Sequence, residues 1–265
     1  MIWKDGGRLL PVITIGHIKF YTFPIVIIIA IYTCLFIFLK SKKYDRFYYR
    51  YIMKMFPLCL FFSVFFGKLV FAITQLREGH TDVVQLVSGF VFYGGLIGGL
   101  VGICIYCYKR QECILEITDF LTSLLPLGQA IGRIGCYLNG CCYGIVTKNY
   151  FSVKFIVEGE PTFVFPTWFM ESLFCLGLFI WMFVISERKM CGYYTSWYLI
   201  SYGSFRFIIE FFRGDTIRGI WWGISTSQII SILSVVLGIA IYLYSKKKKN
   251  VYINMIIKGR EPINI

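Results

Sequence analysis

Two groups of residues in this chain have types and spacings suited to chemistry. The first is the run Gly132-Arg133-Ile134-Gly135-Cys136-Tyr137-Leu138-Asn139-Gly140-Cys141-Cys142-Tyr143-Gly144, which sets an arginine and a glycine-rich polar turn at the end of an apolar segment. The second is Arg206, Glu210 and Arg213, which stand at i, i+4 and i+7 in another apolar segment and so share one helical face. An ionised side chain in such surroundings costs roughly 3 kcal/mol or more, and it persists where it has a partner or a task. Arg206 and Glu210 can pair, which lowers that cost and presents a fixed guanidinium. The plainer reading is a structural ion pair between helices, and Arg213 can simply reach toward a polar boundary. Arg133 is flanked by Gly132 and Gly135, which allow close backbone approach, and free amides of the turn Cys136–Gly144 could help hold a phosphate. Arginine suits phosphate because its planar fork bonds two oxygens at once.

Composition decides what positions these groups. Hydrophobic residues make up 57% of the 265 and charged residues only 15%, too little polar surface for a soluble domain of this length. The apolar runs predict an all-α integral membrane protein of about seven transmembrane helices: Pro24–Leu39, Met55–Ile73, Val83–Tyr108, Ile114–Gly132, Trp168–Ile185, Tyr194–Phe212 and Ser227–Tyr244. Glu116, Asp119 and Pro126 interrupt the fourth, which leaves six or eight spans as alternatives. The net charge of +13 does not point to nucleic acid, because the basic residues cluster at span ends. Lys40, Lys42, Lys43, Arg46 and Arg50 follow the first span, Lys109 and Arg110 the third, Arg188 and Lys189 the fifth, and Lys246 to Lys249 the seventh. All four clusters then fall on one side, which the positive-inside rule makes cytoplasmic, with the N-terminus outside and the C-terminus inside. The last cluster can also grip anionic lipid. The first segment runs into a basic stop-transfer stretch and lacks a cleavage site, and no internal repeat of the transporter kind is evident.

With this topology the Arg133 turn lies at the outer face, followed by a connection from about Tyr137 to Pro166. Tyr150–Val157 and Thr162–Phe165, rich in aromatic and β-branched residues and separated by Glu158-Gly159-Glu160-Pro161, predict a β-hairpin cap within a single domain. Such a cap gates access to a cavity or is a loop with aromatic anchors. His17 and His80, the two histidines, fall outside any motif. Of ten cysteines, Cys34, Cys59, Cys104, Cys107 and Cys175 sit in apolar runs as small hydrophobes, and Cys113 and Cys191 stand at the cytoplasmic boundary. Cys136, Cys141 and Cys142 are plain turn residues, a Cys136–Cys141 disulfide, or metal ligands; three ligands without an adjacent histidine weigh against zinc, so no metal and no cofactor is expected. The run Gly94, Gly95, Gly98, Gly99, Gly102 reads as a close helix-packing face.

Two arginines converging from different helices would hold a phospholipid headgroup and leave its acyl chains in apolar surroundings. Several patches in order then resemble the prolipoprotein diacylglyceryl transferase family. They are Tyr93-Gly94-Gly95-Leu96-Ile97-Gly98; Gly132-Arg133-Ile134-Gly135 through Asn139-Gly140 to Gly144; Tyr202-Gly203-Ser204-Phe205-Arg206-Phe207 with Glu210, Arg213 and Asp215; and, more faintly, Phe165-Pro166-Thr167 with Glu171. The resemblance implies a bacterial inner-membrane enzyme that moves a diacylglyceryl group from phosphatidylglycerol to the lipobox cysteine of a prolipoprotein signal peptide and releases glycerol phosphate. It implies that Arg133 and Arg206 hold the phosphate, Glu210 orients Arg206, and Tyr93 touches the headgroup. Gly94, Gly95, Asn139, Gly144 and Arg213 shape the substrate site. The chain departs from the family pattern where Tyr93 replaces a histidine, Cys136 an asparagine, Cys141 a glutamate, and Trp168 and Met170 a glutamine and a tyrosine. Those departures keep a second reading open, a paralogue that binds phospholipid without this catalysis or uses another acceptor. A channel would show polar residues on several helix faces, and these are lacking.

Overall fold

Long apolar runs with few helix breakers leave the backbone one way to satisfy its own hydrogen bonds away from water, and the chain is mainly helical. The computed structural model describes residues 12–15, 18–41, 46–77, 91–157, 160–187, 189–214, 220–221 and 224–257. Among these are helices α1 (Thr22–Lys40), α2 (Arg46–Arg77), α3 (Phe92–Arg110), α4 (Ile114–Leu138), α5 (Thr167–Phe179), α6 (Tyr193–Ile209) and α7 (Thr226–Ile257). A π-helical turn, Ile180–Ile185, extends α5, and a 3₁₀ turn, Glu210–Phe212, extends α6. Three antiparallel ribbons complete the order: β1 (Val12–Ile15) with β2 (Ile18–Tyr21), β3 (Val153–Val157) with β4 (Glu160–Val164), and β5 (Ile220–Trp221) with β6 (Ile224–Ser225).

Among the described residues, five stretches are long and apolar enough to cross a membrane: Thr22–Lys40, Met53–Leu76, Ile114–Leu138, Thr167–Ile185 and Thr226–Lys249. Their outward side chains are apolar too, with Ile28, Phe61, Leu173 and Leu233 all more than half exposed, as expected of helices bathed in acyl chains. The third expected span differs. Its helix begins only at Phe92, after an extended Val91, and residues 83–90 lie outside the described part. The fourth, interrupted in sequence, is one continuous helix that carries Pro126 inside it.

The chain divides into two compact units, Phe38–Ile117 and the remainder. In the first, α2 and α3 pack through small residues. A Cβ added at Gly94 would meet the Phe66 carbonyl at 2.7 Å, one at Gly98 would collide with the Phe62 backbone, and one at Gly102 would lie 2.9 Å from Cys59 Cα. In the second, Gly135 brings α4 against Phe23 and Val26 of α1, and Gly203 and Gly238 let α6 and α7 approach. Helix α7 starts with a capping box: Gln228 N–H donates to Ser225 Oγ at 3.1 Å and Ser225 N–H to Gln228 Oε1 at 3.0 Å.

Asp119 explains its own presence in an apolar helix. Its carboxylate is buried and caps α6 from α4. Oδ2 accepts from the Gly192 and Tyr193 amides at 2.8 and 3.1 Å, and Oδ1 accepts from the Thr195 amide and hydroxyl at 2.8 and 2.9 Å. The first-turn amides of α6, which no helix can satisfy internally, thereby find an anion at the positive end of the helix. This clamp fixes α4 against α6. Replacing it by Asp119→Ala strands the buried Gly192 and Thr195 amides, and the detergent-solubilised protein is expected to lose about 3 kcal/mol of unfolding free energy, read as a lower thermal midpoint; Asp119→Asn should lose less.

Candidate active site at the end of α4

Arg133 leaves α4 one turn before its end, Arg206 leaves α6 one turn before its end, and Glu171 leaves the second turn of α5. Glu171 is 2% exposed and joins the other two. Its Oε1 accepts a short hydrogen bond from Arg133 Nη2 and another from the Tyr202 hydroxyl at 2.8 Å, while Oε2 faces Arg206 Nη1 at 3.5 Å. Arg206 Nη2 pairs with Glu210 Oε2 at 2.9 Å, and the same oxygen lies 3.6 Å from Arg213 Nη1. The result is a row, Arg133–Glu171–Arg206–Glu210–Arg213, of three cations and two buried carboxylates with one net positive charge. Arg206 Nη1 is buried without a hydrogen-bond partner, ion-paired but still able to donate. A half-buried row of this kind offers directed N–H donors to a phosphate at low local dielectric.

The turn that follows α4 is closed by its own backbone. Gly140, at φ 69°, stands just past the helix; its amide bonds Tyr137 O at 3.0 Å and the Cys141 amide bonds Cys136 O at 3.1 Å. That pair of bonds is a Schellman cap, which places the side chains of Cys136 and Cys141 side by side. The Asn139 amide bonds Gly135 O at 2.9 Å, and the Gly144 amide bonds Phe165 O at 2.9 Å. These four amides are therefore spent on the fold, and the turn is not the amide cradle for phosphate that its glycines suggest. Anion binding here rests on side chains.

Residues 143–147 run between the end of the β3–β4 hairpin and the segment after α6. Ile145 N–H donates to Phe212 O at 2.9 Å, Phe165 N–H to Ile145 O at 3.0 Å and Gly214 N–H to Tyr143 O at 3.1 Å, with Gly144 bridged to Arg213. A Cβ on Gly144 would meet the Phe165 carbonyl and lie 2.7 Å from the Phe212 carbonyl, so only glycine fits. This stitching, together with its pair to Glu210, holds Arg213 in the row rather than reaching away to a polar boundary. Strands β3 and β4 pair from Val153↔Val164 to Val157↔Glu160, close to the expected hairpin.

Arg133 also turns toward sulfur. Its Nη1 lies 3.8 Å from both Cys136 Sγ and Cys142 Sγ. Cys142 takes a left-handed backbone, φ 59°, unusual for a residue with a side chain, and the Thr167 hydroxyl holds its carbonyl. Hydrogen bonds from Cys136 and Cys141, then the charges of Arg133 and Arg213, draw the Cys142 thiol far below the ordinary thiol range, whereas Cys141 is pushed up by its sulfur neighbours. All described cysteines are free, so Cys136 and Cys141 are not joined as a disulfide.

An apolar groove of about 380 Å³ lies between α5 and α6, lined by Phe174, Gly177, Leu178, Trp181, Trp197 and Ser201. Phe174 and Leu178 follow Glu171 on the same face of α5, so the groove begins about one turn from the charged row.

The structure brings Arg133, Arg206, Glu210, Gly144 and Arg213 together, with Asn139 at the end of α4. Tyr93, Gly94 and Gly95 belong to the other unit, where Gly94 is occupied in packing on α2; the Tyr93 side chain, His17, His80 and Asp215 lie outside the described residues. Glu171 and Tyr202 were not among the expected site residues. Glu171 is the one charged residue between Trp168 and Ile185, and that isolation was the available signal.

Comparison with known proteins covers most of the chain. Residues 11–244 match the family model described as prolipoprotein diacylglyceryl transferase. The phosphatidylglycerol–prolipoprotein diacylglyceryl transferase of Clostridium tetani is 30% identical over 239 residues, 88% of this chain and 96% of that protein. The corresponding transferase 2 of Clostridium perfringens is 33% identical over 250 residues, 89% and 96% of the two chains. The Clostridium botulinum transferase is 29% identical over 236 residues, 84% of this chain and 89% of that one.

Removing the charge that joins the arginines tests the row directly. Glu171→Gln strips Arg133 of its carboxylate and leaves Arg206 with Glu210 alone, and the variant is expected to lose roughly 3 kcal/mol of stability in thermal unfolding. Added anionic phospholipid should restore more of that loss than an uncharged lipid does.

Proposed function

The chain belongs to the prolipoprotein diacylglyceryl transferase family, and on that premise we propose that it moves the diacylglyceryl group of phosphatidylglycerol to the thiol of a lipobox cysteine and releases glycerol phosphate. The observation that carries the site assignment is the convergence of Arg133 and Arg206 on the single carboxylate of Glu171. Two guanidinium groups one carboxylate apart form a seat for the phosphodiester, and Glu171 and Tyr202 keep them from closing on each other or turning outward. Glu210 orients Arg206 and Arg213, and Gly144 keeps the Arg213 strand in place.

In the reaction the acceptor thiolate attacks the glyceryl carbon next to the ester oxygen. The carbon–sulfur bond forms as the carbon–oxygen bond breaks, and the electron pair leaves on the phosphate. Charge therefore grows on the phosphate oxygens in the transition state, where preorganised donors such as Arg206 Nη1 act most strongly. The groove beside Phe174 and Gly177 takes part of one acyl chain, an apolar slot that begins about one helical turn from the cationic row.

The basic clusters assign the sides. With Lys40, Lys109, Arg110, Lys189 and Lys246 to Lys249 in the cytoplasm, seven helices cross the bacterial plasma membrane, the N-terminus lies outside, and the β3–β4 hairpin caps the charged row at the outer leaflet. The acceptor peptide enters from that side.

Two substitutions examine head and tail separately. Arg206→Ala should lower turnover of phosphatidylglycerol and a lipobox peptide by about 10²–10³-fold, with Arg206→Lys recovering little because it lacks the fork. A wild type that binds the lipid but forms no thioether product, with binding abolished in Arg206→Ala, would instead favour a lipid-binding paralogue. Gly177→Trp should fill the groove, since a Cβ there meets nothing within 4 Å and the position lines its wall. It is expected to raise KM for long-chain lipid by about tenfold and to spare short-chain analogues, measured as product by mass spectrometry.

A further inference from the structure

We infer that Cys136, Cys141 and Cys142 form a zinc site that binds the acceptor thiol as its fourth ligand. This deepens, and rests on, the transferase reading above. The three Sγ atoms lie within 4.8 Å of one another. Sulfurs around a tetrahedral zinc at about 2.3 Å stand roughly 3.8 Å apart, so a closing shift of about 1 Å brings the set to that spacing. Sequence spacing weighed against zinc for want of a fourth ligand and a histidine. The fold changes that judgement, because three protein ligands and one open position are what a catalytic zinc site has, and the substrate of this reaction is itself a thiol.

Each part of the turn contributes to the gathering. The Schellman cap at Gly140 sets Cys141 beside Cys136. The left-handed backbone of Cys142, which costs about 1 kcal/mol in a residue with a side chain, turns its sulfur back to the same point instead of outward. Thr167 holds that conformation through the Cys142 carbonyl. The C-terminal end of α4 is the negative end of the helix dipole and favours a cation at this place. Three thiolates and one divalent zinc carry a net single negative charge, and Arg133 Nη1, 3.8 Å from two of the sulfurs, balances it.

The arrangement joins the two halves of the reaction at one residue. Nη1 of Arg133 faces the sulfurs and Nη2 faces Glu171 and the phosphate seat. The acceptor thiol coordinates zinc and releases its proton to solvent. Its sulfur then attacks the glyceryl carbon, the carbon–oxygen bond breaks, and glycerol phosphate leaves with the electron pair beside Arg133 and Arg206. The product thioether, neutral and a weak ligand, gives up the fourth position to the next thiol.

The test uses purified full-length protein with zinc content and X-ray absorption as readouts besides transfer activity. About one zinc per chain is expected, with three sulfur neighbours that become four when a lipobox peptide is added; a Cys→Ser lipobox peptide should leave three. Cys136→Ser, Cys141→Ser and Cys142→Ser should each lose the metal, and Cys59→Ser, which belongs to the other unit, should keep it. Chelated wild type, checked for an unchanged helical spectrum, should transfer about 30-fold more slowly near pH 7, the gap between a fully ionised thiol and one about 3% ionised, and should recover as pH rises toward 9 or on return of zinc. Zinc-free protein that transfers at the full rate, or active protein carrying a Cys136–Cys141 disulfide, overturns the zinc site and leaves the transferase reading standing. Zinc held by three sulfurs in a protein that forms no product does the opposite.

Discussion

The carboxylate of Glu171 sits between the guanidinium groups of Arg133 and Arg206, and the arrangement of α4, α5 and α6 depends on that contact. In water, such an arrangement would be worth little. Inside an apolar helix bundle, the attraction between opposite charges a few ångströms apart amounts to several kcal/mol, and so does the penalty for leaving any one of them alone. The three helices must therefore deliver their charges together. Tyr202 donates to the same carboxylate and stacks on Tyr198, whose hydroxyl accepts from Gln129 Nε2 at 2.7 Å, so a polar ladder carries the constraint on into the bundle.

The row is also unbalanced: three cations face two anions, and under the proposed function the surplus charge is what an incoming phosphate would neutralise. A fully balanced row would hold the helices equally well and bind nothing. Glu171 serves both states, as a counter-charge that keeps the arginines ordered before the lipid arrives.

Much of this was readable from residue order and some was not. Apolar length located the helices, and the four-residue spacing of Arg206 and Glu210 required their pairing, because helix geometry is local. Glu171 reaches residues 38 and 31 positions away in sequence, and a long-range partner leaves no periodic trace. Asp119 read as an interruption because its donors belong to another helix. The turn misled in a different way. Glycines suggested open amides, yet Gly140 is there to end a helix and Gly144 to let two carbonyls pass close, and both uses consume the backbone groups that a phosphate would need.

Helix α4 has a mean hydropathy of 1.2 across its best window, against 2.0 to 2.6 for the other four candidate spans. Its Asp119 caps the amides of Gly192, Tyr193 and Thr195, residues the ribosome adds some seventy positions later. Until those arrive, the growing polypeptide carries a carboxylate that still lacks the helix end it caps. Synthesis therefore delivers the anion of this clamp well before the amides that it holds.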